Sequence, residues 1–159
     1  MARIDVGNLP VRVGTTYPAP FDTPCLDREN TALGDAAGLT QYGVNLTRLK
    51  PGVWSGQRHW HSHEDEFVYI LEGEATMVTD AGKEILRPGD CAGFPAGVSN
   101  GHHFINETDS DVVFLVVGTR DMKDSVTYPD IDMFAKPGRY KDPSVFVRKD
   151  GSKIRDDAA

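Results

Sequence analysis

Cysteine is scarce in this chain: Cys25 and Cys91 are the only two in 159 residues. They share no short spacing, so neither a disulfide framework nor a Cys-x-x-Cys metal site is on offer. Two thiols of this kind suit a reducing compartment. Long apolar runs are missing as well, and no stretch approaches the roughly 20 residues that a membrane-crossing helix needs. The opening Met-Ala-Arg-Ile-Asp-Val has no apolar centre of signal-peptide type, which predicts a cytoplasmic protein. Positive charge is in deficit: 17 Lys and Arg stand against 24 Asp and Glu, a formal balance of −7. A face built for nucleic-acid phosphates needs the opposite sign, so nucleic acid is excluded as the main partner. Internal repeats, low-complexity tracts and a helical period in the central segment are absent too. The length admits one domain with a real core and is too short for two comfortable ones.

Short strands are what the middle of the chain holds. Leu39 to Leu49 alternates polar and apolar residues and stops at Pro51-Gly52. Glu66 to Leu71 is a second run, and Ala75 to Thr79 a third, closed by the hairpin-type turn Asp80-Ala81-Gly82. Glu84 to Leu86, Cys91 to Phe94 and Val112 to Val117 follow, punctuated by Pro88-Gly89-Asp90 and Pro95-Ala96-Gly97. Strands at intervals of about 8–12 residues with Gly and Pro between them predict an all-β antiparallel sandwich or barrel. Residues 1–37, with Pro10, Pro18, Pro20 and Pro24, are expected to form an extended N-terminal arm on the domain or on a partner subunit. Residues 38–120 hold the barrel. Residues 121–159, rich in Asp, Lys and Pro, are expected to be a C-terminal tail that lays Tyr128, Phe134, Tyr140 and Phe146 across the barrel or a neighbour.

All five histidines fall in two short stretches, His59-Trp60-His61-Ser62-His63 and His102-His103. On a strand, residues two apart share a face, so His59 and His61 point together and Trp60 points away. Ser62 to Asp65 is polar and reads as a bend. Glu66 then opens a strand beside the two imidazoles, which gives three corners of a metal site. The second stretch supplies a fourth, and only one of His102 and His103 can face the same pocket, because neighbours on a strand point oppositely. Neutral imidazoles with one carboxylate suit a divalent first-row metal that keeps positions open for substrate or water.

These residues resemble the two sequence motifs of the cupin superfamily. His59-x-His61, Glu66 and Gly73 stand at the spacing of the first motif, and Gly89, Pro95, Gly97, His102 and Asn106 follow the second with two extra residues before His102. The spacing to Asn106 favours His102 over His103 as the fourth ligand. The resemblance covers roughly residues 38–120. It implies a double-stranded β-helix of jelly-roll type, with one divalent metal (zinc, manganese, iron or nickel) held by His59, His61, Glu66 and His102. Arg58-His-Trp-His, Asn100-Gly-His-His, Val117-Gly-Thr-Arg120 and Tyr128-Pro-Asp-Ile-Asp132 look like a group of bacterial single-domain cupins, some of them labelled sugar-phosphate-isomerase-like. That points to a metalloenzyme acting on a small polar substrate such as a sugar or sugar phosphate. An iron-dependent dioxygenase and a non-catalytic small-molecule binding module are the alternatives. Cupin barrels pair through sheet edges and terminal arms, so a homodimer is expected.

Other residues have plainer readings. His63 is expected to be exposed at the bend, and His103 to face the opposite side of its sheet. Trp60 and Tyr69 lie away from the metal face, where packing is the default. Gly73, Gly89 and Gly97 serve turns, and Asn106 forms a turn through its side chain. Glu64 and Asp65 are expected to be solvated. Arg48, Arg58 and Arg120 are candidates for an anionic substrate, against the ordinary alternative of facing water.

Overall fold

The computed structural model describes residues 3–142 and 145–154. Residues 1–2 of the expected arm, and residues 143–144 and 155–159 of the expected tail, lie outside that set. The arm region contributes β1 (Arg12–Val13), β2 (Glu29–Ala32) and a single helical turn, α1 (Leu33–Ala36). The centre contributes β3 (Tyr42–Leu49), β4 (Trp60–His61), β5 (Glu66–Glu72), β6 (Ala75–Thr79), β7 (Gly82–Leu86), β8 (Cys91–Phe94), β9 (His103–Ile105) and β10 (Val112–Thr119). Beyond Arg120 come β11 (Val126–Tyr128), β12 (Met133–Ala135) and β13 (Phe146–Val147). All pairing is antiparallel, in sheets ordered β1-β2-β3-β10-β5-β8, β13-β12-β11-β4 and β7-β6-β9.

The alternation that marked these strands sets their faces. On β5, Glu66, Val68 and Ile70 turn inward, while Phe67, Tyr69 and Leu71 turn outward and stay 43, 39 and 39% exposed. At the centre of the largest sheet, β10 places Phe114 against Thr47 of β3 and Ile70 of β5. Leu49, Val68, Ile70, Phe104, Val112 and Phe114 close the main core, each 2% exposed or less. Burying such side chains contributes about 1.5–3 kcal/mol apiece. The first of these strands begins at Tyr42 rather than Leu39, because the Leu39 amide still bonds the Gly34 carbonyl (2.9 Å) in the turn that ends α1.

A second, smaller core gathers Val126, Tyr128, Met133, Ala135 and Val145, with Tyr17 and Phe21 from the arm packed against it. The segments on either side of the barrel thus meet. β11 also pairs with β4, setting Val126 opposite His61 and Thr127 opposite Trp60.

Asn106 behaves as a turn-former. It is fully buried; its amide donates to the carbonyls of Leu49 (2.8 Å) and Ser110 (2.7 Å), and its oxygen accepts from the amide (3.0 Å) and hydroxyl (2.8 Å) of Thr108. Asn106→Ala leaves these groups without partners and is expected to cost about 2–4 kcal/mol of unfolding free energy in urea denaturation. A loss below about 0.5 kcal/mol would show the turn to be self-sufficient.

Candidate metal centre and its cavity

Three backbone relationships bring the ligand candidates together. His59 and His102 face each other in an antiparallel bridge, with N–H to O=C distances of 3.1 and 2.8 Å. His61 ends β4, and the Gly97 amide donates to its carbonyl (2.8 Å), which seats the Pro95–Gly97 turn against the bend. Glu66 opens β5 opposite Phe94 of β8 and Gly118 of β10. The His102 ring stacks on Phe94 with centroids 3.5 Å apart and planes 7° from parallel.

The side chains converge on Glu66. Its Oε2 lies 3.6 Å from His61 Nε2 and 4.0 Å from His59 Nε2, and its Oε1 lies 3.3 Å from His102 Nε2. Donor atoms of His59, His61 and Glu66 all fall within 4.8 Å of one another. His102 meets the carboxylate from its other oxygen and stands outside that triad. His103 turns away: it is buried, its Nδ1 lies 2.9 Å from the Gly56 carbonyl, and its ring meets Trp54 edge-on. His63 is exposed.

The second ring nitrogens decide what the first ones offer. His59 Nδ1 lies 2.7 Å from the Gln57 carbonyl and therefore donates there, leaving the Nε2 lone pair toward Glu66. His61 Nδ1 lies 2.7 Å from Asp124 Oδ2, and a carboxylate likewise fixes Nδ1–H. Burial, with the neighbouring imidazoles, lowers the His59 pKa to about 3, so this ring is neutral. Burial works the same way on His61, but its hydrogen bonds to Asp124 and Glu66 overcome it and raise the pKa to about 9. Burial would raise Glu66, yet hydrogen bonds from His102 and His61 hold it well below the usual carboxylate range. Ligands at about 2.0–2.2 Å from one cation stand about 3–3.5 Å apart, close to the separations here. The buried His102 Nδ1 has no hydrogen-bond partner among the described residues, so stacking on Phe94 and the Nε2 contact with Glu66 orient that ring. The donor set fits a divalent cation.

Glu64, expected in solvent, is 3% exposed. It pairs with Arg139 and accepts from the Tyr140 hydroxyl (2.8 and 2.9 Å) and the Asp121 amide (2.8 Å). Arg139 also lies 3.6 Å from Asp124 Oδ2, so His61, Asp124, Arg139 and Glu64 form one chain of charges. Asp65 is exposed and accepts from the Ala96 amide (2.8 Å). Sequence reading missed Asp124 and Arg139, whose partners lie 63 and 75 residues away with no local pattern to announce them.

A cavity of about 850 Å³ opens beside the cluster and is lined by His59, His61 and Glu66. Arg120 lines it, ion-paired to Asp35 at 2.5 Å. Arg48 and Arg58 do not. Arg48 pairs with Asp111 at 3.1 Å, and Arg58 is clamped by Asp130 (2.7 Å at both Nε and Nη2) and by Asp80. Glu64→Ala strips the nearer of two carboxylates from the mostly buried Arg139 and leaves the Tyr140 hydroxyl and Asp121 amide without their acceptor, and is expected to cost about 3 kcal/mol in urea denaturation. A change under about 1 kcal/mol would mean that Arg139 finds solvent.

Comparison with known proteins follows the same lines. The cupin domain family matches residues 45–118. A structure named as a sugar phosphate isomerase from a cupin superfamily, from Silicibacter pomeroyi, is 45% identical, covers 98% of each chain and superposes with a TM-score of 0.90. A second, from Acidithiobacillus ferrooxidans, carries sugar phosphate isomerase as a proposed name; it is 32% identical over 81% of this chain and 80% of its own, with a TM-score of 0.70. The polyketide cyclase RemF from Streptomyces resistomycificus, at 21% identity over 76% of this chain and 80% of its own, shares the fold with a TM-score of 0.62. No match was found among curated proteins.

Proposed function

Since the chain belongs to the cupin superfamily, we propose that it is a metal-dependent enzyme acting on a small polar substrate, a sugar or sugar phosphate, by isomerase-type ene-diol(ate) chemistry. The observation that carries this reading is the convergence of three imidazole Nε2 atoms on Glu66 at the wall of a large cavity. His59, His61, Glu66 and His102 would hold one divalent cation, zinc, manganese, iron or nickel. Such a cation supplies Lewis acidity, polarising a carbonyl or hydroxyl oxygen and stabilising negative charge as it develops. The chain's own residues do the rest. Gln57 and Asp124 hold the Nδ1–H of His59 and His61 and so aim both Nε2 atoms at Glu66, where a cation would take the place of the Nε2 proton that His61 otherwise carries. Tyr128, its ring 5.8 Å from that of His59, keeps its phenol proton because burial, with Tyr17 beside it, raises its pKa well above the ordinary value. The names of the two most similar structures above support the substrate class.

The test is elemental analysis of protein purified without chelator, beside His59→Ala and Glu66→Ala. Near-stoichiometric metal is expected in the wild type and loss of it in both variants. Metal-free wild type after reconstitution would favour the binding-module reading. Asp124→Ala is expected to bind metal about 10–100-fold more weakly, because the Nδ1–H tautomer of His61 is no longer imposed. Aldose and ketose phosphates, assayed with oxygen monitoring, then separate isomerase from oxygenase chemistry.

The same reading makes the protein a cytoplasmic homodimer. Outward Phe67, Tyr69 and Leu71 form an apolar row along β5 that suits a second copy, and Cys25 and Cys91 are both free thiols. No helix among the described residues is long and apolar enough to cross a membrane. Light scattering after size exclusion should give twice the chain mass, reduced to one chain mass by Tyr69→Glu; a monomeric wild type would remove the dimer.

A further inference from the structure

Five cationic side chains line the cavity: Arg12, Arg28, Arg120, Arg139 and Lys141. Arg12 and Lys141 are exposed and solvated. Arg120 is neutralised by Asp35, and Arg139 by Glu64 with Asp124 behind it. Arg28 differs from all of these. It is partly buried, and no ion pair involves it among the described residues. Among the described residues its only oxygen partners are backbone carbonyls, Ser55 at 2.5 Å from Nη1 and Gly14 at 3.1 Å from Nη2, and its Nε–H is shut from solvent with no acceptor.

From this we infer that Arg28 is the anchor for the anionic group of the substrate, a phosphate monoester. The inference rests on the metal-enzyme reading for the substrate's overall nature. A partly desolvated cation without a counter-ion is costly, and an anion arriving in the cavity relieves that cost. Guanidinium carries five donors, of which the two carbonyls take two, so the second hydrogens of Nη1 and Nη2 remain for phosphate oxygens. The fork is held in place from both sides, by the end of the arm at Gly14 and by the loop that leads to His59 at Ser55. Arg28 and Asn30 are two apart at the entry to β2 and share its inner face, where Asn30 donates to Asn45 Oδ1 (3.1 Å) and accepts from the Thr47 hydroxyl (2.9 Å). All four of these side chains line the same cavity as His59, His61 and Glu66. The lining of one cavity therefore offers a cation and a row of amide and hydroxyl groups as well as the ligand cluster. A polyhydroxylated chain with a phosphate at one end and a carbonyl at the other matches that arrangement.

The experiment uses chelator-treated full-length protein, so that no metal contributes to anion binding. Glycerol 3-phosphate is titrated in by calorimetry, with glycerate in a parallel arm. Wild type is expected to bind the phosphate ester in preference to the carboxylate. Arg28→Gln is expected to weaken that binding about tenfold or more, the scale of a lost charge-assisted hydrogen bond. Arg48→Gln removes the same charge from outside the cavity and should leave the affinity unchanged. If Arg28→Gln melts below the assay temperature, Arg28→Lys carries the test: the charge stays, the fork is lost, and the affinity falls severalfold. Unaltered binding in the Arg28 variants, no binding by wild type, or equal affinity for glycerate overturns the proposal. Metal content is measured on the same Arg28 variants and should equal that of wild type, so loss of metal in His59→Ala tests the metal reading separately.

Discussion

Three imidazoles and a carboxylate gathered at one end of an apolar barrel lose their water, and every one of their polar atoms must then find a replacement partner. The surrounding structure is arranged around that requirement. One nitrogen each of His59 and His61 is tied off, by the Gln57 carbonyl and by Asp124, and the neighbouring His103 by the Gly56 carbonyl; His102 Nδ1 is the exception, without a partner among the described residues. The loop that supplies those carbonyls is itself buried at Val53, Gly56 and Gln57, so its own polar groups need partners too. They find them in the arm. Gln57 donates to the Phe21 carbonyl (2.7 Å) and the Trp54 amide to the Pro24 carbonyl (2.9 Å). The N-terminal segment thus sets the loop that sets His59.

The C-terminal segment plays the matching part for His61. β11 pairs with β4 and carries the chain past Asp124, whose two oxygens reach His61 Nδ1 and the amide of His63 (2.9 Å). Arg139 and Tyr140 then return to Glu64 in the bend between the two ligand-bearing strands. A barrel alone would carry all four candidate ligands, but two of the imidazoles would be free to change tautomer and rotate. With a pre-set ring, less of the binding energy of a cation goes into ordering its ligands.

How much of this the sequence disclosed follows from the range of each interaction. Strand alternation is local, so β5, β6, β8 and β10 were legible at nearly their observed bounds, and so was the parity that separates His102 from His103. Motif spacing extended that to Glu66. Glu64 was not legible. Between His63 and Asp65 it looks like one more polar residue of a bend, and only Arg139 and Tyr140, 75 and 76 positions later, explain its burial. Arg58 was illegible for a similar reason: the choice was between water and a substrate anion, yet Asp130, 72 residues on, holds it with two hydrogen bonds. Arg28 sits in a Pro-rich stretch without period, where neither alternation nor motif singles out a residue.

The charge of the whole molecule and the charge of its cavity pull in opposite directions. A chain carrying −7 repels anions at long range, but salt at physiological strength screens such fields beyond about 8 Å. Within that distance the balance is local. Two of the cavity arginines are cancelled by carboxylates, and the Asn30, Asn45 and Thr47 wall is neutral. With one carboxylate among four donors, the candidate ligand set would leave a divalent cation only half neutralised. Together with such a cation, Arg28 would make the inside of the cavity positive, in a protein whose net charge is negative. An anionic ligand would be attracted only once it had entered. Such a site selects its ligand at contact rather than by steering it from a distance.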